Sequence, residues 1–222
     1  MKREFFLAAD STLLTQQARW ISRCLRQLGD YETKTKLAGE KGRYRTHARS
    51  LTPWQSGYDL ARKFRKDFGF GNPTKPLSIE KLCGSKNGIL PVIRVGEEHQ
   101  LDAVARLAAD LGPQVATSKE RESSKSYLLA RALCEYLCSS SEGSALLTRI
   151  SSDSQKRNRA FAAELLAPAD GIRKLLSGSR IARDEVAEVA AHLGVSEWLV
   201  EHQVKNHQIA TVEETIPLLA SK

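Results

Sequence analysis

Long apolar runs are absent from this chain of 222 residues. A membrane-spanning helix needs roughly 18 consecutive apolar residues, and no segment approaches that, so neither a span nor a membrane partner is expected. The opening Met1-Lys2-Arg3-Glu4 and Phe5-Phe6-Leu7-Ala8-Ala9 mimic a signal peptide, but Asp10 interrupts the run. A signal core of about 7–15 apolar residues does not fit there. Cysteine is scarce too. Cys24 and Cys83 are isolated, Cys134 and Cys138 lie four apart in a helical pattern, and no CxxC pair occurs. A disulfide between residues one helical turn apart is geometrically awkward, and the four thiols read as small buried hydrophobes. A disulfide scaffold is therefore excluded, and a cytoplasmic location is expected. The five histidines, His47, His99, His192, His202 and His207, include no pair at metal-ligand spacing. A set drawn from Cys134, Glu135, Cys138 and a distant histidine is a weak metal candidate. Glycine patterns of the GxSxG, phosphate-loop or dinucleotide type are missing, as are internal repeats. No cofactor or metal is expected.

What is present is the composition of an ordinary globular domain, 41% hydrophobic and 27% charged. The net charge of +8 is uneven: residues 1–66 carry fifteen Lys and Arg against six Asp and Glu. The basic character thus belongs to the N-terminal part. Lys34, Lys36, Lys41, Arg43, Arg45 and Arg49 are the candidate nucleic-acid contacts there. The same charges also suit a solvated linker, and both readings stand.

Helical spacing runs over residues 11–28, with Leu13, Leu14, Ala18, Ile21, Leu25 and Leu28 on one stripe before Gly29. Residues 30–50 show no apolar period and read as a mobile basic linker. Thr52-Pro53-Trp54 opens a second helix, Thr52 as cap and Pro53 at the first helical position, with Trp54, Tyr58, Ala61, Phe64, Arg65 (through its stem) and Phe68 on its apolar side. A short helix follows over 77–83. Strands are expected at 89–95, 101–107 and 114–117, joined as a three-stranded antiparallel meander. Helices are expected at about 124–139, 142–149, 155–167, 183–193, 196–206 and 212–220. The sum is an α+β fold with an N-terminal helix and basic linker over 1–50 and one domain over 51–222.

The segment Tyr127-Leu128-Leu129-Ala130-Arg131-Ala132-Leu133-Cys134-Glu135-Tyr136-Leu137 resembles the metal-binding helix of ImmA/IrrE-type metallopeptidases, an aromatic-x-Leu-Ala-His-Glu-x-Gly-His-x-Leu pattern. Phe161-Ala162-Ala163-Glu164-Leu165-Leu166-Ala167-Pro168 resembles that family's second signature, Phe-Ala-Ala-Glu-Leu-Leu-Met-Pro. Val189-Ala190-Ala191-His192-Leu193-Gly194-Val195-Ser196 resembles its terminal helix-turn-helix-like pair, and the likeness spans roughly residues 52–210. It implies a zincin-like, mostly helical domain with a small sheet, a persisting substrate cleft near Phe161, Leu165 and residues 101–105, and packing of the 127–138 helix on the 156–167 helix.

The departures matter more. In HExxH two histidines one turn apart grip zinc and the glutamate between them polarises a water. Aligned on the resemblance, these positions hold Arg131, Ala132 and Glu135, and the third-ligand position holds Gln155. A guanidinium has no lone pair to donate, and alanine takes no proton. Arg131 and Glu135, four apart, either pair with each other or face solvent as separate charges. The terminal pair reads as a packing element or, alternatively, a duplex reader poor in base-reading side chains, since Lys205 is the only Lys or Arg after Ser196 in its second helix. The resemblance therefore implies a catalytically inactive pseudo-peptidase, a regulatory or partner-protein-binding module in a bacterial stress, mobile-element or phage-related system. A DNA-associated regulator is the alternative, and an active peptidase with a relocated metal site the outsider.

Overall fold

The computed structural model describes residue 5 and residues 12–30, 35–45, 52–84, 92–96, 101–139 and 143–213. In chain order these form α1 (Leu14–Gly29), α2 (Pro53–Asp67), α3 (Ile79–Cys83), β1 (Val92–Arg94), β2 (Ala103–Ala108), β3 (Gly112–Thr117) and α4 (Glu122–Cys138). Then come β4 (Gly143–Leu147), α5 (Asp153–Leu166), α6 (Ala169–Leu175), β5 (Arg180–Ile181), α7 (Arg183–Leu193), α8 (Glu197–Asn206) and β6 (Thr211–Val212). The fold is mixed α+β, as expected.

The sheet departs from the expected meander. Its order is β1-β3-β2-β4. β2 lies antiparallel to β3 and β4, but β1 pairs parallel to β3, Ile93 opposite Ala116. β4 occupies residues expected to be helical. Gly143-Ser144-Ala145-Leu146-Leu147 is too short a run for period to decide its type. What decides is the sheet: Leu146 packs on one face and Leu147 on the other, the alternation of a strand beside β2. β5 and β6 form a separate parallel pair, and the helix expected from residue 212 falls largely outside the described residues.

The sheet separates two apolar layers. On one face α1 packs Trp20, Ile21, Cys24 and Leu28 against Val104, Ala116 and Leu146. The Trp20 indole N–H donates to the carbonyl of Val95 at 2.8 Å. The buried stripe of α1 is therefore turned from the expected one, for Leu14 and Ala18 are exposed while Gln17 is buried. On the other face Ala103, Ala105, Leu107, Val115 and Leu147 meet α4, and α2 and α5 close the larger core around Phe64 and Phe161, whose rings stand edge to face at 6.1 Å. As expected, α4 and α5 are neighbours, and Leu129, Leu133, Phe161 and Leu165 are all fully buried.

Residues 35–45 are not a free linker. Leu37 and Tyr44 are buried in the larger core. Tyr44 N–H donates to the carbonyl of Leu137 at 2.9 Å, and the Tyr136 hydroxyl to that of Leu37 at 2.8 Å. Two large apolar side chains seven residues apart show no period, so this anchoring has no local signature.

Two local devices place the helices around the site. Gly57 lets α2 touch α5: a Cβ there would lie 2.4 Å from the carbonyl of Arg157. Serines cap the helices that matter, Ser152 accepting from the Gln155 N–H and Ser196 from the Leu199 N–H. Thr52 precedes α2 as expected, but its hydroxyl bonds Gln55 Oε1 at 2.5 Å instead of a backbone N–H. Among the described residues no helix is long and apolar enough to cross a membrane.

Candidate functional site

Two of the three positions that the resemblance assigns to zinc ligands, Arg131 and Gln155, come together, joined by a guanidinium, while Glu135 does not join them. Arg131, in the middle of α4, is 2% exposed. Its Nη2 donates to Gln155 Oε1 and to the carbonyl of Thr148, each at 2.6 Å, and its Nη1 to Asp102 Oδ2 at 3.0 Å. Gln155, in the first turn of α5, is held in turn by the Thr148 N–H on Oε1 (3.1 Å), and its Nε2 donates to the carbonyl of Leu146 at 2.8 Å. The amide therefore turns its oxygen to the guanidinium and its nitrogen to the end of β4. Asp102, just before β2, also faces Arg149 at 3.4 Å and has its own carbonyl bound by the Thr117 hydroxyl. One guanidinium thus ties α4, α5 and the ends of β2 and β4 together, with β3 joined through Asp102.

This settles the two readings of Arg131 and Glu135 against both. Arg131 neither faces solvent nor pairs with Glu135. Glu135 points the other way, accepting from Asn158 Nδ2 at 2.8 Å and Arg157 Nη2 at 3.2 Å. Ala132 is fully buried in the core. The chemistry of the set is that of a buried ion pair with five possible donors on Arg131 and no lone pair aimed at a metal. Among the described residues no group of three or more His, Cys, Asp and Glu side chains could hold a metal ion. Cys134 and Cys138 are free thiols that hydrogen-bond to each other, which pushes the Cys138 thiol down and, with burial acting first, the Cys134 thiol up.

A second buried polar centre forms at Glu164, the glutamate of the Phe-Ala-Ala-Glu segment, 2% exposed. It accepts from Arg62 Nε (2.9 Å), Gln203 Nε2 (3.1 Å) and the Ala169 N–H (3.3 Å), with His207 Nε2 at 3.5 Å. Burial lowers the His207 pKa below its ordinary 6.5, against the opposing pull of Glu164. Here α2, α5 and α8 are locked to one another.

Between these centres opens a cleft of about 750 Å³. Arg131, Thr148 and Asp102 belong to its buried lining, together with Leu128 and the half-buried Tyr127 of α4. Among the described residues its charged lining is Lys119, Arg149, Lys156 and Arg159, against the one carboxylate of Asp102. Trp54 at the start of α2 and Trp198 at the start of α8 complete it, 49% and 56% exposed. Trp54 was expected on the buried side of α2. It instead stands edge-on to Tyr58 with ring centroids 6.0 Å apart, while Trp198 lies 4.1 Å from the ring of His202. Sequence reasoning missed Asp102, Arg149, Arg159 and Trp198 as members of one site. Only the exposure of two tryptophans, which no pattern reports, would have flagged it.

The basic arm is partly accounted for. Lys34 and Arg49 lie outside the described residues. Lys41 donates to the carbonyl of Leu107, and Arg43 pairs with Glu40 at 2.6 Å and faces Asp67 at 3.8 Å. Lys36 and Arg45 are exposed. α7 and α8 join through Gly194 at φ 69°, and α8 buries Leu199, Val200, Gln203 and Val204 against the body.

Comparison with known proteins matches the chain to no family model and to no curated protein.

Proposed function

We propose that this chain is a non-catalytic regulatory binding protein, a degenerate relative of the ImmA/IrrE-type metallopeptidases that engages a partner where its relatives would cut. The proposal includes a zincin-like core, a helix-turn-helix-like α7–α8 pair and a place in the cytoplasm of a bacterium, within a stress, mobile-element or phage-related system. The observation that carries it is the Arg131 network. The positions of first and third metal ligand are adjacent in space, as the resemblance requires, and they bond each other at 2.6 Å. A permanently protonated guanidinium occupies the place where a metallopeptidase needs lone pairs, and Ala132 supplies no base. The network also fits a scaffold kept for binding, because it braces the walls of an open cleft instead of filling it. The partner implied by the resemblance is a protein, a regulator or repressor. The purified protein, incubated with an unstructured protein substrate with and without added zinc, is expected to leave it intact. Zinc-dependent cleavage that survives removal of trace proteases would overturn the reading.

A second reading, a nucleic-acid-associated regulator, draws support from the cations of the cleft more than from those of the arm. Arg43 and Lys41 are committed to partners within the fold. Lys119 and Lys156 meet no carboxylate among the described residues.

A further inference from the structure

We propose that the cleft is a binding site for single-stranded nucleic acid. The inference deepens the second reading and rests on the cleft being a place of binding, not hydrolysis.

Charge comes first. Lys119 follows β3, Arg149 follows β4, and Lys156 and Arg159 stand one turn apart on the cleft side of α5. Among the described residues the one carboxylate in the lining, Asp102, is already engaged by Arg131 and Arg149. Four peripheral cations therefore face one neutralised acid, in a concave surface where low-dielectric walls concentrate the field. The occupant carries several negative charges along its length.

The aromatic side chains define the rest of the occupant. Trp54 and Trp198 come from different helices, α2 and α8, and each is about half exposed although both residues sit beside a well-packed core. Even with His202 beside Trp198 and Tyr58 edge-on to Trp54, about half of each indole stays exposed as flat π surface, and a strand of nucleotides supplies flat bases on one edge and phosphates on the other. Sequence-tolerant single-strand sites combine these two features, a cationic track and stacking platforms. An acidic peptide would answer the cations but has no repeating planar group for two tryptophans. A duplex is disfavoured by shape: the first turn of α8, which would have to enter a major groove, is part of the cleft wall through Trp198 and Leu199. The volume of about 750 Å³ suits a few residues of an extended ligand.

The test is titration of the full chain into a fluorescein-labelled ten-nucleotide deoxythymidine strand, read by anisotropy and by quenching of tryptophan emission. Binding is expected to weaken with salt, with a slope of log affinity against log salt of about −2 to −3 for four phosphate contacts. Trp198→Ala is expected to lower affinity roughly 10-fold through lost stacking. Lys156→Glu is expected to lower it at least as much, while Lys174→Glu, the same charge change at an exposed position of α6 outside the cleft, leaves it within about two-fold. Trp198, Lys156 and Lys174 are all exposed, and thermal melting of each variant verifies that it folds. Absence of binding at low salt, equal loss in Lys156→Glu and Lys174→Glu, or tighter binding of a glutamate-rich peptide or of a ten-base-pair duplex would each overturn the proposal. Failure here with no peptidase activity leaves the non-catalytic reading intact; oligonucleotide binding alongside zinc-dependent cleavage would remove that reading and keep the site.

Discussion

Arg131 Nη2 and Gln155 Oε1 lie 2.6 Å apart, a charge-assisted bond between the middle of α4 and the first turn of α5. The same guanidinium reaches Asp102 at 3.0 Å, and both residues are under 10% exposed. Such a pair adds little net stability relative to an apolar replacement of both members, but removing one leaves a buried charge alone. Asp102→Ala is expected to destabilise the fold by about 3–5 kcal/mol, and Arg131→Met by a similar amount. Urea denaturation of the two single variants and the double variant checks this. The double variant is expected to be more stable than either single one; strict additivity would contradict a coupled pair.

The contact of α2 with α5 depends on one missing methyl group. A Cβ at position 57 would meet Arg157 O at 2.4 Å and the Ala160 Cβ at 2.8 Å, and backbone gives way less easily than a flexible side chain. Gly57→Ala is expected to cost about 1–3 kcal/mol despite alanine's better helix propensity. Because Trp54 and Tyr58 ride on the same helix, oligonucleotide affinity is expected to fall as well. A stabilised Gly57→Ala variant would contradict the close approach.

His207 makes stability depend on pH in a defined direction. Burial lowers its pKa in the folded state below the ordinary 6.5, so the unfolded chain takes up a proton first as pH falls. The contribution is fully present above about 6.5 and is lost as pH falls from there through the folded value. His207→Gln, compared with the parent by urea midpoint at pH 7.5 and 5.5, is expected to lose less stability over that interval. A parent that gains stability on acidification relative to the variant would contradict the account, and would mean that Glu164, 3.5 Å away, outweighs burial.

Much of the helical frame was legible because it rests on local signals. Pro53 at the start of α2, Ser196 as cap and Gly194 as stop stand where helical ends require them. The packing of the helices that carry Leu133 and Phe161 was expected from the resemblance, not from a local signal. The sheet was less legible. Leu146 and Leu147 belong to a strand only because β2 is beside them, and the parallel entry of β1 is a matter of chain path, not of composition. The site was least legible of all. Asp102 and Arg131 are 29 residues apart and Thr148 is 17 beyond Arg131, so the network exists only once the fold has closed. An Arg131–Glu135 pair, one of the two readings, is not formed: helix spacing permits such a pair without knowing that Asn158 and Arg157 compete for the glutamate.

Installing the metallopeptidase residues tests whether that family's geometry underlies positions 131, 132, 135 and 155. A variant carrying Arg131→His, Ala132→Glu, Glu135→His and Gln155→Glu is expected to bind zinc, since the first and third positions already meet across α4 and α5. Because Glu135 turns toward Arg157 and Asn158, its replacement by histidine must swing back to the Arg131 side of the helix. Zinc uptake by the variant, followed by equilibrium dialysis, supports descent from a metal site; no uptake by a folded variant contradicts it.

The central claim is that the unaltered protein has no metal centre of the peptidase kind, and elemental analysis after gentle purification tests it most directly. The account predicts no stoichiometric zinc, because Arg131 presents only donors, Ala132 presents none and Gln155 is already bonded through both ends of its amide. About one zinc per chain, lost when Glu135 or Cys134 is replaced, would contradict it and place a relocated metal site on α4.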